Sequence, residues 1–303
     1  MKQESPPDTF GECERLVLPS LRRPGITTLI LIVCLLFLAV IDTASAQDRS
    51  GTIIIVAGSQ NKIVMAADSR ESMIRRNGSK SIDDTECKIV TLPRKLVFAP
   101  AGRVGHKNTT DPTLSWDSYD IARDAAKTVE ISGGSIEATA HLWADKVAAM
   151  HDQDLARAVI TSNKASDNII EYAFFAGFEG GIPLVYRTII FKNKESTGPK
   201  YLKITDGPLK MAEWRFYRIG VFDIADEFSA QQSDRAISWL ATFRSEHPAE
   251  APWETLLSPL SERIIQLTDL YSSEKDSVGG PIDVIEIGPD GNQWVRKKQN
   301  CGD

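Results

Sequence analysis

The chain is 303 residues long, 42% hydrophobic, 8% aromatic and 25% charged, a globular composition that excludes a wholly disordered chain, a collagen and a coiled coil. Its 35 Lys and Arg against 41 Asp and Glu, for a formal charge of −6, leave no basic footprint for nucleic acid, so no nucleic-acid partner is expected. Cys13, Cys34, Cys87 and Cys301 are too scattered for a zinc site or a disulfide framework, and His106, His141, His151 and His247 lack metal-like spacing and suit surface or helix-face roles.

Residues Ile26 to Val40, ITTLILIVCLLFLAV, carry no charge, follow Arg22-Arg23 and precede Ala44-Ser45-Ala46. That is the order of a secretory signal, with an apolar core short for a bilayer span and small residues ahead of a cut before Gln47. Residues 1–46 are therefore expected to be a signal peptide, and the remainder to be exported, periplasmic or secreted. The alternative is an uncleaved signal that anchors the chain in a membrane with its body extracytoplasmic. After cleavage only Cys87 and Cys301 remain, in an oxidising compartment. They can pair, but their positions in the chain do not decide it.

Two apolar, β-rich runs, Thr52 to Ala57 and Ile63 to Ala67, flank Gly-Ser-Gln-Asn-Lys and predict a hairpin. Strands follow at Lys88 to Leu92 and Leu96 to Ala101, with Glu71 to Glu86 as a loop or exposed hairpin between the pairs. A helix is predicted from Trp116 to Val129, and a longer one through Ile136, Ala140, Trp143, Val147 and Met150, whose steps of four and three mark one helix face. Strands return at Ile169 to Gly177, Ile182 to Phe191 and Tyr201 to Ile204. Two helices come next, one through Ala236, Ile237, Leu240 and Phe243, the other through Leu260, Ile264, Leu267 and Tyr271, begun by Ser258 as N-cap and Pro259 in the first turn. A hairpin of Ile282 to Ile287 and Gln293 to Val295 closes the pattern. Strands, two helices, strands, two helices and strands describe one α+β layered domain, and helices after both strand groups suggest two sheets face to face.

The segments GTIIIVAGSQNKIVMAADSR, CKIVTL, LVFAPAG and VGGPIDVIEIGPDG resemble the proteasome β-subunit family of N-terminal nucleophile hydrolases. The likeness is strong from Thr52 to Gly102, returns from Gly279 to Gly291, and rests between them on element order. It implies a four-layer αββα sandwich over 52–303, a five-residue propeptide at 47–51, and self-cleavage of the Gly51-Thr52 bond. Thr52 would then be the nucleophile, with its own α-amine as general base; an α-amine has a pKa near 8 and is partly neutral at physiological pH. Lys88 matches the family's lysine and Asp68 the carboxylate that holds it, with Lys80 as a second candidate for the lysine. Gly102 matches the oxyanion-hole glycine, and Arg70 a residue that supports the fold or subunit contacts. No cofactor and no metal are implied.

The chain departs from the family in one neighbourhood. Asp276 and Ser277 can serve as supporting residues near the amine, but Val278 stands where the family has serine, and Tyr217 to Val221 supplies no second serine. Asn77-Gly-Ser and Asn108-Thr-Thr fit glycosylation sequons, and Trp143, Trp239 and Trp253 suit core or subunit contacts. The expected activity is a threonine-type peptidase or amide hydrolase acting on short peptides, unfolded chains or small amides, as a homo-oligomer. The alternative is a non-catalytic assembly or binding subunit of the same fold. Membrane contact is expected only through an uncleaved signal.

Overall fold

The computed structural model describes residues 52–301 apart from 75–79, 107–112, 114, 157–168, 194–199, 210–214, 222, 231–232 and 273–276. Residues 1–46, where a signal peptide was expected, the expected propeptide at 47–51, both sequons and Asp276 therefore lie outside the described residues.

The first hairpin forms as predicted, β1 (Ile53–Gly58) against β2 (Ile63–Ala67), and all their residues are buried. Burial on both faces is why these strands read as continuous apolar runs without alternation. Glu71 to Glu86 contains the hairpin of β3 (Glu71–Ile74) and β4 (Lys80–Asp83). The next strand, β5, is only Val90–Leu92. The strand expected from Lys88 thus starts two residues late, because the Lys88 ammonium turns inward to partners described below while Ile89 packs in the core.

Next come β6 (Leu96–Gly102), β7 (Gly105–His106) and β8 (Trp116–Asp117). Trp116 was expected to begin a helix, but it pairs with His106, and extended Asp117 caps the helix by accepting the Tyr119 and Asp120 N–H groups. Helix α1 accordingly spans Ser118–Ile131, and α2 spans Ile136–Ala156. Strands β9 (Ile169–Glu179), β10 (Ile182–Asn193) and β11 (Lys200–Asp206) follow the expected hairpin order.

Strand β12 (Arg215–Gly220) and helix α3 (Asp223–Ala230) were not anticipated. The sequence RFYRIG carries two arginines among its six residues and lies at a sheet edge, where one side needs no apolar partner. Helix α4 covers Asp234–Ser245; Ala236 and Phe243 are buried, while Ile237, expected on the same face, is exposed. Helix α5 covers Trp253–Tyr271, so Ser258 and Pro259 lie inside it instead of opening it. The Ser258 hydroxyl donates to Glu286 at 2.6 Å. The cost of an internal proline, about 3 kcal/mol, is offset by burial of Leu256, Leu257 and Leu260 around it, at about 1.5–3 kcal/mol each. Strands β13 (Asp283–Gly288) and β14 (Gly291–Arg296) end the described fold.

The protein is thus a mixed α+β fold with two five-stranded antiparallel sheets, β12-β1-β2-β13-β14 and β11-β10-β9-β6-β5. Three buried clusters join the elements. Ile54, Val56 and Met65 of the first sheet meet Val97, Ala99 and Phe174 of the second. Ile53, Ile55 and Val64 point the other way, toward Leu257, Leu260 and Ile264 of α5. On the far side of the second sheet, Phe98 and Phe175 pack on Trp143 of α2 and Tyr119 of α1. Alternate residues of one strand therefore serve two cores, as a pleat of period two requires. Among the described residues, no helix is long and apolar enough to cross a membrane.

Candidate active site

Thr52 stands at the head of β1, Asp68 just after β2 and Lys88 just before β5. The β1–β2 register pairs Ile54 with Ala67 and so brings the two ends of the hairpin together. The three side chains meet with almost no water: Thr52 is 4% exposed, Asp68 0% and Lys88 3%. The Lys88 ammonium Nζ lies 2.7 Å from Thr52 Oγ1 and 3.0 Å from Asp68 Oδ1, and also donates to the Arg70 carbonyl.

Asp68 is held by the backbone as well. Its Oδ1 accepts Ile53 N–H at 3.0 Å, and its Oδ2 accepts Arg70 N–H at 3.2 Å and Gly279 N–H at 3.0 Å. A buried carboxylate needs such donors, since desolvation alone costs several kcal/mol. Burial pushes the Asp68 carboxyl up and the Lys88 ammonium down, and their mutual contact opposes both shifts. Lys88 thereby moves toward a form that can exchange a proton with the hydroxyl it touches.

Two glycines set the local backbone. Gly220, at φ +91°, ends β12 against Thr52, and a Cβ there would stand 1.5 Å from the Thr52 carbonyl oxygen. Only glycine allows Val221 N–H to reach that oxygen at 2.8 Å. Gly102, at φ +101°, ends β6, where a Cβ would stand 2.4 Å from the Ile170 carbonyl. The matched glycine is therefore one that no other residue can replace without moving the neighbouring strand.

The structure brings together Thr52, Asp68 and Lys88, and adds Gly279 and Arg70. Arg70 pairs with Asp84 at 2.8 Å and donates to the Val278 carbonyl at 2.8 Å, fixing the turn that delivers the Gly279 N–H. Val278 is buried, and Ser277 is half-buried beside it, with no hydrogen bond to the trio among the described residues. Lys80 lies on β4, in the separate hairpin. The Gly279-Gly280 pair was the available signal for the extra donor; nothing marked Gly220, whose role depends on an edge strand that pattern did not reveal.

Behind Gly102 lies a second polar cluster. Glu171, paired with Gly102 across the ladder, accepts from Ser118 Oγ at 2.5 Å and lies 3.1 Å from His151 Nε2. His151 was expected at a surface or helix face, yet it is fully buried, because the end of α2 packs over β9 and Trp116. Burial pushes Glu171 well above the carboxylate range, and burial with the nearby Arg103 charge pushes His151 down to about 3. Asp154, one turn further on, accepts from Arg103 and from Trp116 Nε1, each at 3.0 Å.

The C-terminal segment also reaches the site. Cys87 and Cys301 form a disulfide with Cα atoms 5.6 Å apart, which resolves the pairing left open by the sequence. Among the described residues no group of His, Cys, Asp and Glu has the arrangement of a metal site. No protein-family model and no curated protein matches the chain.

Proposed function

We propose that this protein is an exported threonine-type peptidase or amide hydrolase of the proteasome β-subunit-like, N-terminal nucleophile class. The observation that carries the reading is the 2.7 Å approach of the Lys88 ammonium to Thr52 Oγ1, with Asp68 behind it and all three groups nearly dry. Two stacked antiparallel sheets with helical cores on their outer sides support the αββα sandwich of that class. The Cys87–Cys301 disulfide supports export to an oxidising compartment.

In this reading, cleavage of the Gly51-Thr52 bond frees the α-amine. Thr52 Oγ1 attacks the substrate carbonyl carbon as its proton passes to the amine or to neutral Lys88, and an ester forms as the C–N bond breaks. The proton returns to the leaving amine, and water hydrolyses the ester. The Gly102 N–H stabilises the oxyanion, a contribution of about 10²–10³ in rate. The class assembles into multi-subunit rings, and a homo-oligomer is proposed here too.

A non-catalytic subunit is the second reading, favoured by Val278 and by the stretch Tyr217 to Val221, which supply no serine where the family has serines around the amine. Mass spectrometry of the purified protein separates the two. The enzyme begins at Thr52 and gains one adduct from a peptide vinyl sulfone, an adduct absent in Thr52→Ala; a chain beginning at Gln47 and unlabelled under the same conditions refutes the hydrolase.

A further inference from the structure

Two lysine–aspartate pairs among the described residues are almost completely buried: Lys88–Asp68, with side chains 4% and 0% exposed, and Lys298–Asp283, with 8% and 1%. The second has no part in the chemistry above. Its contacts are directed at the first. Lys298 Nζ lies 2.7 Å from Asp283 Oδ2 and also donates to the Ser69 hydroxyl and the Glu86 carbonyl. Ser69 follows Asp68 directly, and Glu86 precedes Lys88 by two residues. The two gripped residues are joined to each other by Glu86 N–H donating to the Ser69 carbonyl at 3.3 Å.

The segment carrying Lys298 is itself fastened. Its own N–H donates to Asp283 Oδ1 at 3.0 Å, Asn300 Nδ2 donates to the Thr85 carbonyl at 3.2 Å, and Cys301 is bonded to Cys87. Thr85, Glu86 and Cys87 are thus held one after another by the C-terminal segment, immediately ahead of Lys88. A buried ammonium is costly, and an apolar residue of similar volume commonly stabilises a fold as well or better. A buried ammonium whose hydrogen bonds beyond Asp283 go to the two segments that present Asp68 and Lys88 is suited to a different task, holding those segments at one spacing.

We propose that Lys298 is a positioning residue of the Thr52 site: clamped by Asp283 and tethered by the Cys87–Cys301 disulfide, it ties Ser69 to Glu86 and so sets where Lys88 meets the Thr52 hydroxyl. Its catalytic meaning rests on the hydrolase reading; the clamp itself does not. Because misplacing a reacting group by about 1 Å can cost on the order of 10²-fold in rate, a small shift of the 85–88 segment is enough to matter.

The test uses the full chain as Lys298→Met and, separately, as Cys87→Ser/Cys301→Ser, which loosens the same segment without touching the ammonium. Labelling of Thr52 by a peptide vinyl sulfone should slow by about 10- to 100-fold in Lys298→Met through the saturating rate, with the half-saturating concentration unchanged. The cysteine variant should fall between it and the wild type. Amide hydrogen exchange should quicken about tenfold at 68–70 and 85–89 in both variants, while β9 and β10 keep their protection. Wild-type labelling rates in Lys298→Met overturn the proposal. So does exchange that is unchanged, or that quickens equally in β9 and β10. If the wild type takes no label the hydrolase reading fails, and the exchange pattern alone decides the clamp.

Discussion

Lys88→Met tests the buried pair at the centre of the site. The substitution keeps an unbranched apolar stem but removes the charge facing Asp68 Oδ1 at 3.0 Å. Breaking a buried ion pair by deleting one partner costs about 3–5 kcal/mol. Asp68 keeps three backbone donors, from Ile53, Arg70 and Gly279, which places the expected loss near the low end, about 3 kcal/mol at pH 7. Without Lys88 the main influence on the carboxyl is burial, which raises its proton affinity above the ordinary 3.8 of the unfolded chain. A group shifted in that direction contributes stability below pH 3.8 that is lost as pH rises through the folded value. The penalty of Lys88→Met relative to wild type is therefore largest at neutral pH and shrinks toward pH 4. Urea unfolding at several pH values measures it. A penalty under about 1 kcal/mol at pH 7, or one that does not change down to pH 4, would refute the dependence of Asp68 on Lys88.

Gly220→Ala should cost about 1–3 kcal/mol for the left-handed backbone and should also abolish Thr52 labelling, since the new Cβ displaces the Thr52 carbonyl; Gly133→Ala, at φ +68° with nothing within 4 Å, controls for backbone strain alone, and equal labelling in the two variants would refute the contact. Glu171 and His151 have opposite effects on stability against pH. Between pH 4.5 and 6.5 the unfolded chain protonates its histidine and ionises its glutamate, while burial favours the reverse in the folded state, so the two slopes offset. Glu171→Gln removes one of them, and the variant should lose stability relative to wild type as pH falls below 6.5, by up to about 1.4 kcal/mol per unit. Parallel curves in denaturant titrations would show that Glu171 titrates the same way folded and unfolded.

Much of this fold was legible because burial leaves a mark on composition. Strands β1, β2, β6, β9 and β10 are rich in Ile, Val, Ala and Phe, and the stripe of Ile136, Ala140, Trp143 and Val147 is the buried face of α2. Errors fell where a side chain chose a partner that pattern cannot name. Asp117 became a cap and displaced the start of α1, Ser258 found Glu286 in place of a capping role, and Lys88 left the strand register for Thr52 and Asp68. The burial of His151 was missed because its polar side chain masked its position, four residues past Val147, on the same buried face of α2.

The candidate site divides along the same line. The hairpin between Thr52 and Asp68 is local, so two apolar, β-rich runs on either side of a short turn were enough to bring these two residues together. The other contacts cross most of the chain. Gly279 N–H reaches Asp68 over 211 residues of separation, Cys301 reaches Cys87 over 214, and Gly220 admits the Thr52 carbonyl only because β12 pairs with β1. Hydrophobic periodicity records which face of an element is covered, and that was readable in the amino-acid order. Which donor stands three ångströms from which acceptor depends on how covered elements from distant parts of the chain are stacked, and only the folded protein contains that information.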